Sequence, residues 1–308
     1  MPTLAVVIPT YRRPRELARC LAALALQTRP PDEVVVAAFD DPDAAGVADR
    51  APLTCTLVAV DLPGAAAALV AGTRATGARL ICFTDDDAVP PPRWVERLED
   101  ALADPTVGGA GGRDVVVDEG SGRTEDGART EDVGRLTWYG RHVGGHHLAE
   151  GAPRDVAFLK GVNAAYRREA LGLPVGLRGG GAEVHLEVAV GRYARRRGYR
   201  LVFDPDATVE HRPAPRRGDD QRRAPTPSAT EDAAYNLVVA LGGWRGLTRV
   251  GYATVVGDRG APGLVRAAVA LVNGDETTAR RLGPSVRGTL AGGWAILRRR
   301  GVSYATFA

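Results

Sequence analysis

Three consecutive aspartates, Asp85, Asp86 and Asp87, are the strongest chemical signal in the sequence. They directly follow an apolar run at 79–83, which predicts a buried strand. Unpaired carboxylates are costly to bury and repel one another, so packing alone does not explain them. Mn²⁺ or Mg²⁺ would neutralise them, and the metal would offset the charge of a diphosphate leaving group. The alternative is a solvated turn that caps the next helix.

Polar groups also end two neighbouring predicted strands. Asp40, with Asp41 beside it, follows the second strand, where a carboxylate could accept hydrogen bonds from a nucleobase or form another Asp-rich turn. Pro9, Thr10 and Tyr11 end the first strand and could supply backbone and hydroxyl contacts to the same base. Ligands of open parallel sheets bind at the carboxyl ends of the strands, so we expect these groups to share one edge.

Three basic side chains could join the same edge. Arg12 and Arg13 could neutralise phosphate, although arginines at the start of a helix are often simply solvated. His211 follows the last predicted strand and could complete the shell of a metal, the alternative being a structural or exposed histidine. The cluster is a stronger indication than any one of its members.

The elements that must position these groups alternate along the chain, which predicts an α/β fold with a mostly parallel sheet between helices. The predicted strands are 4–8, 33–38, 54–60, 79–83, 114–117 and 199–203, and the predicted helices are 14–27, 64–76, 93–102 and 184–197. We expect a catalytic domain at 1–212, divided into halves at 1–107 and 108–212, a linker or lid at 213–228, and a helical extension at 229–308. The tract 119–132 is predicted to be a flexible loop, and Gly179, Gly180 and Gly181 a turn.

Composition limits the classes of protein. The chain has 308 residues, 44% hydrophobic and 25% charged, which is typical of a globular protein. Its net charge of +3 is too small to indicate nucleic-acid binding. Cys20, Cys55 and Cys82 lack CxxC spacing, so neither a zinc site nor a disulfide framework is predicted. With no leader and no apolar run of about 20 residues, we expect a cytoplasmic protein whose membrane contact, if any, is peripheral.

These residues together resemble the inverting glycosyltransferases of family 2, which have the GT-A fold, a Rossmann-like, mostly parallel sheet sandwiched by helices. The resemblance covers about 3–212 and rests on the segments 6–13, 40–41, 83–90 and 196–207, while 138–141, 146–147 and 159–168 resemble the acceptor-side half of a bacterial branch. It implies metal-assisted transfer of a sugar, with inversion, from a UDP- or GDP-linked donor to a glycan, lipid-linked or small-molecule acceptor. A role in cell-envelope polysaccharide biosynthesis would follow.

The resemblance also implies roles for individual residues. Asp87 and His211 would be metal ligands, with Asp85 near the ribose or the metal. The acceptor contacts would come from Trp138, Lys160 and Asn163, although Trp138 could equally be core or interface material. The donor-binding set would be Pro9, Thr10, Tyr11, Arg13, Asp40, Gly64, Asp85 and Asp86.

The general base is where the sequence departs from the family, because many members carry a Glu-Asp pair and this chain has 182–187, Ala-Glu-Val-His-Leu-Glu. Counting back from Gly198, Glu187 takes the usual position of the catalytic carboxylate. Glu183 is the second candidate and His185 the third. Glu187 could instead be a surface ion-pair partner, and Glu183 a helix-start carboxylate favoured by the helix dipole.

Two further segments carry hypotheses. The charged stretch 216–222 could close over the diphosphate as a lid or be an ordinary linker. The helical patterns at 233–256 and 286–300 carry Trp244, Trp294 and the basic run 298–300, which could lie at a membrane interface or pack on the catalytic domain or a second subunit.

Two other classes of protein remain as alternatives. A nucleotidyltransferase would want a glycine-rich phosphate loop after the first strand, and 9–14 contains no glycine. A dehydrogenase is not among these alternatives, since the GxGxxG turn that it would need is absent. A catalytically inactive carbohydrate-binding relative stays open because of the departure at 182–187.

Overall fold

The computed structural model describes residues 3–118, 122–123, 128–179, 183–214, 226–258 and 260–307. The predicted lid at 216–222, residues Gly180 and Gly181 of the predicted glycine-rich turn, and most of the predicted loop at 119–132 lie outside these residues.

A large mixed sheet is the centre of the fold. Within the described residues, its ten strands run in the order β10-β13-β6-β11-β4-β1-β2-β3, with β5 beside β13 and β7 beside β6. Strands β4, β1, β2 and β3 are parallel, whereas β11 runs antiparallel to both β4 and β6. The strands of the chain are β1 Leu4–Thr10, β2 Glu33–Phe39, β3 Thr56–Val60, β4 Leu80–Phe83, β5 Ala88–Val89, β6 Val107–Asp118, β7 Gly122–Arg123, β8 Arg135–Leu136, β9 His142–Val143, β10 Arg154–Asp155, β11 Ala164–Arg167, β12 Gly172–Val175, β13 Arg200–His211 and β14 Ser303–Thr306.

Helices cover both faces of this sheet, as its alternating side chains require. Val6 of β1 belongs to one core cluster with Leu17 and Trp94, whereas the adjacent Val7 belongs to a second cluster with Leu69. The helices are α1 Pro14–Leu24, α2 Ala44–Asp49, α3 Ala65–Arg74, α4 Trp94–Ala101, α5 Leu186–Arg196, α6 Pro227–Leu241, α7 Gly243–Val255, α8 Leu264–Val272, α9 Glu276–Arg280 and α10 Leu282–Leu297. The predicted α/β class with a mainly parallel sheet is therefore confirmed.

Strand β13 is longer than the sequence predicted. The prediction of a strand that ends at Phe203 was wrong, because β13 spans 12 residues in all and His211 is its last residue. Asp204 accepts a hydrogen bond from the backbone N of Asp206 (2.9 Å), which is the turn signal that the sequence shows. The chain accommodates this turn as a shift in register against β6 between Asp204 and Val209, and the strand then resumes.

The C-terminal helices pack on the domain that precedes them. The predicted pattern at 233–256 is divided between α6 and α7, because Gly242 and Gly243 have φ values of 54° and 51°. Leu237 and Leu241, on α6, share a core cluster with Phe158 and with Val188 of α5. Strand β14, which the sequence did not predict, pairs with β12. Among the residues that the structure describes, no helix is long and apolar enough to cross a membrane.

Candidate metal and donor site

The chemically active groups meet where β1, β2, β4 and β13 end. Asp85, Asp87 and His211 each offer one ligand atom, and these atoms lie within 4.8 Å of one another. Asp87 and His211 are only 3% exposed, so the cluster is largely withdrawn from solvent. Two carboxylates and one imidazole, held this close together, form a metal-binding arrangement.

The bonding of these atoms shows that the cluster fits a cation. Nε2 of His211 lies 3.3 Å from Oδ1 of Asp87, yet neither atom makes a hydrogen bond, although both are buried. Buried polar atoms without partners are rare, because each costs the free energy of its lost hydration. A shared divalent ion would satisfy both atoms. Carboxylate oxygens suit Mn²⁺ or Mg²⁺, and imidazole nitrogen is a common ligand of transition metals, so the residues fit the predicted metal.

A partly buried ion pair lies on the side of His211 that faces away from Asp87. Asp114, on β6, has no exposed surface and forms an ion pair with Lys160. Burial opposes the charged form of Asp114, but the hydrogen bond from Lys160 and the charges of Lys160 and His211 lower its pKa. Burial also opposes the charged form of His211. The carboxylates of Asp114 and Asp87 favour that form more strongly and raise the pKa of His211 to about 9. Asp114 was not among the predicted site residues, because its only signal in the sequence is an acidic residue at the start of a predicted strand.

The middle aspartate of the run has a different role from its neighbours. Asp86 is 2% exposed, and its carboxylate accepts hydrogen bonds from Thr10 (2.8 Å) and Arg13 (3.0 Å). Burial raises the pKa of Asp86 to about 7, against the charge of Arg13. Arg13 also lies 3.3 Å from Asp87. Asp86 thus ties the end of β1 to the acidic run, and its carboxylate is bonded within the protein.

The ends of β1 and β2 are joined by an exposed pair. Arg12 donates to the backbone oxygen of Asp40 (3.0 Å) and forms an ion pair with its carboxylate. Both residues have positive φ, 52° for Arg12 and 41° for Asp40, which is uncommon outside glycine and clusters at functional sites. The ring of Tyr11 lies 5.6 Å from that of Phe39. More than half of the Asp40 side chain is exposed, so its carboxylate is open to a ligand.

Glu183 caps a helix, but not its own. Its carboxylate accepts a hydrogen bond from the backbone N of Ala66 (2.5 Å) at the start of α3, where the helix dipole favours a negative charge. Gly64, just before α3, has φ +118°, and a Cβ there would lie 3.0 Å from Oε2 of Glu183. Burial raises the pKa of Glu183, and the bond from Ala66 opposes this rise. Glu183 therefore connects the segment before α5 to the start of α3.

Glu187 lies in the first turn of α5. Burial raises the pKa of Glu187, and a backbone hydrogen bond from Gly161 and the charge of Lys160 oppose this rise. The charge of Asp85 adds to the rise. His185 stands just before α5 with φ 75°, and burial keeps its pKa well below the usual value.

The three predicted acceptor contacts are placed differently from one another. Trp138 is 66% exposed and meets Tyr139 edge-on at 5.3 Å. Lys160 lies at the site through its ion pair with Asp114. Asn163 has no exposed surface, and its amide is bonded to Trp94 and to the backbone oxygens at 113 and 207. The structure thus shows an internal bonding role for Asn163.

Solved structures share this fold at low sequence identity. The mannosyltransferase PcManGT from Pyrobaculum calidifontis, in complex with GDP-Man and Mn²⁺, is 20% identical, with a TM-score of 0.54 over 95% of this chain and 87% of its own. GalNAc-T7 with UDP, GalNAc and Mn²⁺ is 15% identical, with a TM-score of 0.64 over 91% of this chain and 54% of its own. Glucosyl-3-phosphoglycerate synthase from Mycobacterium tuberculosis, with Mn²⁺, UDP-Glc and phosphoglyceric acid, is 19% identical, with a TM-score of 0.50 over 77% and 80%.

The fold is thus that of the GT-A glycosyltransferases. Residues 2–230 match the sequence profile described as Glycosyltransferase like family 2, and the chain belongs to this family. The comparison with curated protein sequences found no match. Family, fold and metal-ligating cluster together confirm a nucleotide-sugar-dependent glycosyltransferase assisted by a divalent metal.

Proposed function

We propose that the protein transfers a hexosyl residue from a UDP- or GDP-linked donor to an acceptor hydroxyl, with inversion at the anomeric carbon. The observation that carries the proposal is the cluster of Asp85, Asp87 and His211, with buried ligand atoms of Asp87 and His211 that have no hydrogen-bond partner. Mannosyl and glucosyl donors in the similar solved structures support the hexosyl class.

On the donor side, the exposed carboxylate of Asp40 is placed to accept hydrogen bonds from the nucleobase, with Tyr11 and the end of β1 beside it. Asp85, Asp87 and His211 would hold the metal, which when bound stabilises the negative charge of the diphosphate as a Lewis acid. Arg13 holds Asp86 and Asp87 in position from the end of β1. Gly64 leaves room where a side chain would collide with Glu183.

On the acceptor side, we propose Glu187 as the general base that takes the proton of the attacking hydroxyl. Burial raises the pKa of its carboxyl group, which strengthens it as a proton acceptor. Glu183 is less suited to the role, because its carboxylate already caps α3. His185, whose pKa is lowered, is a weaker base than an ordinary histidine.

The exposed Trp138 offers a flat apolar surface on which a sugar ring of the acceptor can stack. A glycan, a lipid-linked sugar or a small polyhydroxylated molecule would all meet that requirement. We propose an acceptor used in bacterial cell-envelope polysaccharide synthesis on the cytoplasmic side of the membrane, which the resemblance to a bacterial branch of the family supports.

The test is a panel of UDP- and GDP-sugars with and without Mn²⁺, followed by thermal shift and by release of the nucleotide. We expect one donor to stabilise the protein and to be consumed only with Mn²⁺. Asp87→Ala should abolish both effects, whereas Asp155→Ala, which removes an exposed partner of Arg200, should keep them. A flat response across the panel would contradict the proposal, and metal-independent donor binding without turnover would indicate an inactive relative.

A further inference from the structure

Helix α8 carries its large apolar side chains on its outer face. Five of its nine residues are large, apolar and 52% to 87% exposed: Leu264, Val265, Val269, Leu271 and Val272. The residues that it buries are Ala267 and Ala270. At 100° per residue, the five exposed side chains fall within an arc of about 160°. We call these five side chains the outer face of α8.

This arrangement inverts the usual pattern of a surface helix, which turns its apolar stripe toward the core. The helix is firmly attached all the same. Gly263, just before α8, packs so closely on the end of α7 that a Cβ there would lie 2.6 Å from the backbone oxygen of Ala253. Helix α8 is therefore held in place with its outer face exposed. A contiguous exposed apolar patch of this kind indicates a binding surface.

Helix α7, which contacts α8, and helix α10, which contacts α7, also expose apolar stripes. Trp244, Leu247 and Val255 are 40% to 59% exposed on α7, and Leu290, Trp294 and Leu297 are 52% to 63% exposed on α10. The two helices pack against each other, since a Cβ on Gly293 would lie 2.8 Å from Val250. Each tryptophan has an arginine over its ring: Arg245 over Trp244 at 5.6 Å, and Arg298 over Trp294 at 4.4 Å.

The charge of this part of the chain indicates its partner. Residues 229–308 contain ten arginines and five acidic residues, a net charge of +5, whereas the rest of the chain has −2. The acidic residues that follow α8 are already used: Asp275 caps α9 through the backbone N of Thr278 (3.0 Å), and Glu276 pairs with Arg280 (2.9 Å). Arg298, Arg299 and Arg300 are exposed at the end of α10.

We propose that the outer face of α8, with the exposed stripes of α7 and α10, docks on an anionic lipid surface. Helices that lie in a membrane interface share three features. Their apolar side chains enter the acyl boundary, their tryptophans lie at the level of the headgroups, and their arginines contact anionic headgroups. A second copy of this chain would instead bring two positively charged segments together, which repel. The proposal does not depend on the transfer reaction.

The test is co-sedimentation of the full chain with vesicles of phosphatidylcholine alone and with added phosphatidylglycerol. We expect binding to the anionic vesicles that weakens as salt is raised. Val265→Gln/Val269→Gln/Val272→Gln, one line along the outer face, should lower the partition coefficient at least about tenfold. The control is Leu26→Gln/Leu57→Gln, which changes two exposed leucines that lie outside the C-terminal helices. All the substituted side chains are exposed, and thermal melts will show that the variants fold.

Three results would overturn the proposal. The first is no binding of the full chain to either vesicle, and the second is equal binding by the triple variant and the wild type. The third is a dimer in light scattering that the triple variant converts to a monomer, which would show that a second copy covers the face. Donor binding in solution should be unchanged in the triple variant, so failure here leaves the proposed transfer reaction standing.

Discussion

Oδ2 of Asp114 lies 3.8 Å from Nδ1 of His211, whose opposite ring nitrogen, Nε2, lies 3.3 Å from Oδ1 of Asp87. The first distance is that of an ion pair rather than a hydrogen bond. The imidazole is thus held between a fully buried carboxylate and the metal-ligand cluster. Because a carboxylate on the far nitrogen of a ligating histidine fixes its tautomer and orientation, Asp114 is placed to position His211 toward a metal.

Asp114→Asn should therefore weaken Mn²⁺ binding about 10- to 100-fold, the usual cost of losing such a partner. The change keeps the size of the side chain and removes its charge. Isothermal titration with Mn²⁺ at one pH measures the effect directly. Asp155→Asn, at an exposed ion pair, is the control and should bind Mn²⁺ as the wild type does. An unchanged affinity in Asp114→Asn would show that Asp114 does not position the ligand.

The metal cluster could be predicted because its ligands stand next to strong strand signals. Asp85 and Asp87 directly follow the apolar run of β4, and His211 comes a few residues after the apolar start of β13. Parallel strands bring their carboxyl ends to one edge of the sheet. The local sequence pattern and this general rule were therefore enough to predict that the ligands lie close together. The family resemblance had the same basis, since its motifs stand at these strand ends.

The groups that support the cluster depend on long-range pairing that no local pattern contains. Asp114 reaches His211 only because β6 pairs with β13 after a shift in register. Glu183 meets Ala66 across a sequence separation of 117 residues. Asn163, a predicted acceptor contact, lies where three chain segments meet, and its amide is bonded to all three. In each case, tertiary contacts decided the role of the residue.

Asp40→Asn should weaken donor binding about tenfold or more, because a charged acceptor for the nucleobase is lost, and should change kcat little. The free energy of unfolding should change by less than about 1 kcal/mol, since the pair with Arg12 is exposed at both ends. Donor titration at saturating Mn²⁺ and a thermal melt separate the two effects. Arg12→Gln breaks the same pair from the other side and should affect donor binding less. Equal losses in the two variants would contradict a direct contact between Asp40 and the base.

Stability at acidic pH should depend on His146, which has no exposed surface and whose pKa burial lowers to about 4. The folded-state pKa lies below the unfolded value of about 6.5, so the neutral ring contributes its full stability above pH 6.5. This contribution is lost as pH falls toward 4 and amounts to at most about 3 kcal/mol. Urea unfolding at pH 7 and pH 4.5 should show a smaller loss for His146→Gln than for the wild type. Parallel losses in the two proteins would contradict the prediction.

The choice of general base can be tested by one matched pair of substitutions. Glu187→Gln should lower kcat by about 10²- to 10⁴-fold with donor affinity preserved, because the acceptor proton loses its recipient. Glu183→Gln still offers an oxygen to Ala66, so it should cost only about 0.3 to 1 kcal/mol of stability through the lost charge at α3. Its kcat should stay far above that of Glu187→Gln. Turnover at saturating donor and acceptor, with a thermal melt of each variant, measures both quantities. If Glu183→Gln lost more turnover than Glu187→Gln, the base would be Glu183, and its bond to Ala66 would have to open during catalysis.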